Sequence, residues 1–134
     1  MFSILVIPIT EEMFFRGYVL NGTFEKLKFG QISLLSALMF SIPHWFFGGD
    51  YSMLIYILAN IVGTFLFGLL LNNIVYLTKT IWCGLGFHWF YNYCAIAMFA
   101  GDSMYTFLVY ATLGFLIIGL IVTTIFVKKR MSKS

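Results

Sequence analysis

Charged residues are what this chain has least of: they make up 10% of its 134 positions, against roughly 25% in an ordinary water-soluble domain. So few charges cannot cover the surface of a soluble fold. The formal balance of +3 comes from eight Lys and Arg against five Asp and Glu, and no basic stripe exists that would track a nucleic acid. Proline is confined to Pro8 and Pro43 and cysteine to Cys83 and Cys94. Without a C-x-x-C pair, both cysteines read as buried packing residues in an apolar helix rather than as a disulfide or a metal clip. No internal repeat or low-complexity tract appears, and the start, MFSILVIPITEEMFFRG, lacks the basic flank and small-residue cleavage site of a signal peptide.

What is present is hydrophobic mass. Hydrophobic residues account for 61% of the chain and aromatics for 20%, with a mean hydropathy of +0.96. Lipid is the solvent this composition suits, and in lipid only helices or closed barrels satisfy every backbone polar group. The apolar runs are too long and continuous for barrel strands. Measured against the ~20 residues needed to cross a bilayer, they place helices at about 2–20, 31–46, 52–77, 80–100 and 104–127. The predicted fold is all-α: an integral membrane bundle of about five transmembrane helices, with residues 1–134 forming one domain.

The loops test this count. Alternating spans put Lys26, Lys28, Lys79 and the tail Lys128, Lys129, Arg130 and Lys133 on one face, and Asp50 and Asp102 on the other. Every loop then obeys the positive-inside rule, with the N-terminus outside and the C-terminus cytoplasmic. Trp45, Tyr51 and Tyr105 would form the outer aromatic belt, Tyr76 and Trp82 the inner one. The composition points to a multi-pass protein of a bacterial plasma membrane.

Against this apolar background the polar residues stand out. The first helix holds Glu11, Glu12 and Arg16 in TEEMFFRGY, and ionisable groups at such depth face a bundle interior or a wet cavity. Arg16 lies one turn from Glu12 and can pair with it. Glu11 points elsewhere and has no such neighbour, which suits it to trading protons with water. The second helix carries Phe40 and His44 in FSIPH, and Pro43 weakens the turn at the histidine. The fourth carries His88 and Asn92 on one face in HWFYN. Taken singly, each is as readily a hydrogen-bonded core residue as a functional one. Counted from the inner helix ends at 1.5 Å per residue, Glu11 and His88 lie roughly 12–14 Å deep, Asn92 about 18 Å and His44 about 20 Å. Those depths permit one cluster in which Glu11 takes a proton from water while imidazole or amide groups hold a developing oxyanion.

The ordered set E-E-x-x-x-R-G at Glu11–Gly17, F-x-x-x-H at Phe40–His44 and H-x-x-x-N at His88–Asn92 resembles the three motifs of the CPBP family, the CAAX-protease and bacteriocin-processing membrane proteins also called Abi. The resemblance covers a catalytic core of about residues 5–100. It implies an intramembrane endopeptidase in which Glu11 activates water, with His44, His88 and Asn92 as its catalytic partners and Glu12, Arg16 and Phe40 bracing the site. It implies a peptide or protein substrate within the lipid bilayer: a prenylated protein, a leader peptide or a bacteriocin. No H-E-x-x-H is present, yet Glu11, His44 and His88 could hold zinc as ligands with a water in the fourth place. A metal-free glutamate mechanism needs the same three groups.

Two other readings use the same residues. A non-catalytic bacteriocin-immunity or binding protein on this scaffold would not need the Glu11 carboxylate. A small proton-coupled transporter would need an intramembrane glutamate, but not two histidines at motif spacing.

Overall fold

The computed structural model describes residues 2–22, 27–44, 54–99 and 105–133, with the side chains of 2–4, 54–57, 59, 94–99 and 105–113 excepted. Among the described residues the chain is helical throughout, with no strand. Helix α1 (Phe2–Glu12) runs without a break through a π-helical stretch, Met13–Val19, into the short α2 (Leu20–Gly22). Then follow α3 (Phe29–His44), α4 (Leu54–Thr78), α5 (Ile81–Phe99) and α6 (Tyr105–Met131). Five helical rods thus occupy the five predicted stretches, with α6 continuing through Lys128–Arg130 of the basic tail. Of these, the segment Asn60–Thr78 is long and apolar enough to cross a membrane by length and composition among the described residues. Glu11, Glu12 and Arg16 interrupt the first rod, and α3 has only 16 residues.

Charged and polar side chains share the interior with apolar ones, and large apolar side chains lie on the surface. Glu12, Arg16, Ser36 and Asn72 are wholly buried, while Leu34, Leu38 and Ile42 of α3 and Trp82 and Phe90 of α5 lie on the surface. On the first rod the buried face is Pro8, Glu12, Phe15, Arg16 and Val19, a helical stripe of mixed polarity. On α3 it is Ile32, Ser33, Ser36, Ala37, Phe40 and Ser41, mostly small residues. That choice lets α4 come close. A Cβ on Gly68 of α4 would lie 3.2 Å from both Cα and Cβ of Ala37, so the helix backbones approach there as they do across small-residue membrane interfaces.

Helix α4 is the hub, packing on α3, α5 and α6, while α1 packs on α5. The apolar centre joins Phe15, Phe40, Phe67, Leu70, Leu71 and Leu116. Polar ties supplement it: the Asn73 amide donates to Thr123 and Thr124 hydroxyls of α6, each at 3.1 Å, and the Trp89 indole donates to the Leu5 carbonyl at 3.0 Å. Lys79 ends α4 in the left-handed region at φ 59°, its N–H closing on the Val75 carbonyl at 2.8 Å. This is an αL cap, and it turns the chain sharply into α5.

Two sequence expectations need correction or fall outside the described residues. Cys83 is exposed rather than packed in the core, because the buried face of α5 is taken by Gly84, Leu85 and His88. Lys26, Trp45, Asp50, Tyr51 and Asp102, and the side chains of Cys94 and Tyr105, lie outside the described residues. Of the inner belt, Trp82 is exposed and Tyr76 packs on Phe29 with ring centroids 4.1 Å apart.

Candidate active site

A buried polar core forms first around Glu12. Arg16, one turn along, donates from Nη1 to Glu12 Oε1 at 2.9 Å, with both side chains shielded from solvent. Desolvating two charges is costly unless further hydrogen bonds offset it. Each guanidinium nitrogen has one. Arg16 Nε donates to Asn72 Oδ1 at 3.0 Å and Nη2 to the Gly68 carbonyl at 3.1 Å, and the guanidinium lies 4.6 Å from the centroid of the Phe40 ring. The π-helical stretch contains Arg16 and ends with the Leu20 N–H bonded to the Phe15 carbonyl. That carbonyl also accepts from Ser36 Oγ at 3.1 Å, so the irregular turn is pinned to α3. π-helical turns of this kind recur at functional sites.

His88 enters this core from α5. Its Nδ1 stands 2.9 Å from Glu12 Oε1, and because a carboxylate oxygen accepts, Nδ1 carries a proton and Nε2 is the nitrogen turned toward Glu11. That nitrogen lies 3.7 Å from Glu11 Oε2. His44 repeats the arrangement. Its Nδ1 lies 2.8 Å from the Phe40 carbonyl, which can only accept, so Nδ1 carries a proton, and Nε2 lies 3.9 Å from Glu11 Oε1. Glu11 is thus flanked by two imidazoles, each oriented through its far nitrogen. It keeps about 22% of its side-chain surface exposed, and His44 27%, while His88 keeps 3%. The site is open on the Glu11–His44 side and closed behind His88.

Aromatic rings hold the imidazoles. Phe40 lies against His44 at 4.6 Å between centroids and edge-on to His88 at 5.9 Å, and Phe67 meets His88 edge-on at 5.2 Å. The structure therefore gathers Glu11, Glu12, Arg16, Phe40, His44 and His88. Asn92 sits one turn beyond His88, half-buried, and among the described residues it makes no hydrogen bond to the others. The different depths counted for His44 and His88 do not keep them apart. Imidazoles reach several ångströms from their backbones, and helices need not stand parallel.

Four further residues escaped the sequence reading. Asn72 joins the guanidinium to α3, donating from Nδ2 to the Ser33 carbonyl at 2.9 Å and lying 3.2 Å from its hydroxyl. Asn60 donates to the His44 carbonyl at 3.1 Å and so holds the end of α3. Gly68 supplies the third acceptor for Arg16. At Gly84 an added Cβ would fall 2.9 Å from Val75 Cγ2 and 3.2 Å from Glu12 Oε2, so only a missing side chain admits the carboxylate there. Glu12 Oε2 is itself buried without a hydrogen-bond partner. The signal for the asparagines was an amide inside otherwise apolar runs, YILANIV and GLLLNNIVYL, where a polar group needs a partner.

Two imidazoles and a carboxylate are the donor set of a zinc site. Around a tetrahedral ion with bonds of ~2.0–2.1 Å, ligand atoms stand roughly 3.4 Å apart. The Nε2-to-carboxylate separations of 3.7 and 3.9 Å are wider. Among the described residues no group of three or more His, Cys, Asp or Glu is gathered closely enough to hold a metal. The three side chains suit an ion in kind, at separations about 0.3–0.5 Å wider than those around one.

No curated protein and no solved structure compared with the chain matches it. A family model described as type II CAAX prenyl endopeptidase Rce1-like matches residues 1–94, a stretch that contains every side chain of the cluster. The chain therefore belongs to the type II CAAX prenyl endopeptidase Rce1-like family, membrane-associated proteases that act on a peptide or protein substrate.

Proposed function

We propose that this protein is an intramembrane endopeptidase in which Glu11 activates water against a peptide bond. The observation that carries the proposal is the Glu11 carboxylate facing the Nε2 atoms of His44 and His88 on the open side of a rigid polar core. The large apolar side chains on the surface and the ionisable ones inside support all five rods crossing the bilayer, and the basic tail favours a cytoplasmic C-terminus.

The chemistry follows from proton positions. With one proton shared among Glu11, His44 and His88, its resting place on an Nε2 makes that imidazole a donor, while Glu11 remains a carboxylate. Glu11 then takes a proton from water as the water oxygen bonds to the scissile carbonyl carbon. The tetrahedral oxyanion is met by the Nε2–H donor. Glu11 passes its proton to the amide nitrogen as the carbon–nitrogen bond breaks, and the shared proton returns to the cluster. Asn92, one turn along α5 from His88, would add an amide donor to the substrate. Glu12, Arg16 and Phe40 fix His88 and His44 and touch no reacting atom.

The substrate class that suits this reading is a lipid-anchored peptide, best represented by a prenylated CAAX sequence. The test is cleavage of a quenched fluorescent prenylated peptide by the purified protein in bilayer discs. Cleavage by the parent and none by Glu11→Gln, at equal insertion and helix content, is the expected result. Equal cleavage by both would discard the mechanism.

A further inference from the structure

We infer that Asn72 is a positioning residue of the same site, setting the His88 imidazole through Arg16 and Glu12. Its activity arm rests on the hydrolase reading above; its spectroscopic arm does not. Asn72 is wholly buried on α4, which carries none of the residues of the three motifs. Its amide has one orientation compatible with its neighbours. Arg16 Nε can only donate, so the atom 3.0 Å away is the amide oxygen. The Ser33 carbonyl can only accept, so the atom 2.9 Å away is the amide nitrogen. The Asn72 amide accepts from a guanidinium and donates to a carbonyl at once; an Asp carboxylate lacks the donor and Leu lacks both.

The chain of contacts is continuous. Ser33 fixes Asn72, Asn72 fixes the Nε edge of Arg16, Arg16 Nη1 meets Glu12 Oε1, and the same oxygen takes the Nδ1 proton of His88. Each link leaves the next with fewer choices. With Gly68 holding Nη2, the guanidinium is fixed along three edges and cannot swing away from Glu12. Glu12 Oε2 has no partner, so Oε1 alone carries both the arginine and the histidine. If Asn72 became a carboxylate it would compete with Glu12 for Arg16, and the Nδ1 bond of His88 would loosen although no residue touching His88 had changed.

The chain has two histidines, so ¹⁵N-histidine labelling reports His44 and His88 alone. In the parent both rings should show a hydrogen-bonded proton on Nδ1. In Asn72→Asp the His88 ring should lose that signature while His44 keeps it. On the prenylated peptide, kcat should fall about 100-fold, as for a misplacement of order 1 Å, with KM within about twofold. Asn73→Ala removes the neighbouring amide, which ties α4 to α6, and should move neither reading. An Asn72→Asp protein whose His88 resonances superimpose on the parent's overturns the inference. So does an Asn73→Ala protein that disturbs His88 equally, since the effect would then be general loosening. If Asn72→Asp does not insert and fold, Arg16→Lys reads the same chain, because an ammonium cannot reach Glu12, Asn72 and Gly68 together. An undisturbed His88 there is likewise decisive against it. A parent without peptidase activity would remove the hydrolase reading and leave the ¹⁵N-histidine measurement as the test.

Discussion

Glu12 accepts the Nδ1 proton of His88 at 2.9 Å, although the two lie 76 positions apart in the chain. The contact divides the paired glutamates by role. Glu12 is sealed inside with Arg16 and orients an imidazole; Glu11, its neighbour, meets the other nitrogen of the same ring from a partly open position. One histidine is thus gripped on one edge and offered on the other.

Glu11→Gln is expected to lower kcat by about 10²–10⁴-fold, the usual contribution of a general base. Its stability should be near the parent's, because Glu11 is partly exposed and makes no contact with its flanking histidines shorter than 3.7 Å. Peptide cleavage and denaturant titration on the same preparation check the two halves. An unfolded variant would show that Glu11 is structural.

Arg16→Met should act in the opposite way, chiefly on stability. Removing one partner of a buried pair leaves an uncompensated charge, with a cost of about 3–5 kcal/mol. Adding Glu12→Gln to Arg16→Met should recover part of the loss, since the stranded charge disappears. A double-mutant cycle by reversible unfolding in mixed micelles measures this; simple additivity would argue against the pair.

Gly84→Ala places a methyl group 2.9 Å from Val75 Cγ2 and 3.2 Å from Glu12 Oε2. Overpacking of that kind costs about 1–3 kcal/mol. The variant should melt earlier than the parent, and Val75→Ala in the same chain should recover part of the loss by making room. Gly86→Ala, with nothing within 4 Å of its added Cβ, should behave as the parent does.

Chelation separates the two ways of using the Glu11 cluster. With the spacing described, 1,10-phenanthroline is expected to leave cleavage unchanged. Loss of cleavage, restored by zinc, would instead assign Glu11, His44 and His88 as ligands drawn together by the ion, and the water-activating step would be rewritten around it.

The helices were legible because each is a long apolar run between breakers, a signal that depends on composition more than on detail. Glu12 with Arg16 was legible for a local reason: both lie on one helix, one turn apart. The convergence of Glu11, His44 and His88 could be argued only from depth and motif order, since no local rule brings three helices together. Asn72 was missed for a related reason. Its partners are Ser33 and Arg16, on two other helices, and an asparagine among leucines announces that it needs a partner without saying which. Cys83 was misread because a helix uniformly rich in apolar residues has no polar stripe to reveal its outward face.

The π-helical stretch Met13–Val19 carries the remaining consequence. A wide turn holds one residue more than an α-helical turn of the same height, so it behaves as an insertion fixed in the helix. Deleting any one residue there would let the rod wind regularly, which keeps the helix beyond it roughly in register but closes the wide turn and draws Phe15 and Arg16 off their partners Ser36 and Asn72. Substitutions along this stretch can be absorbed one side chain at a time; a change in its length cannot.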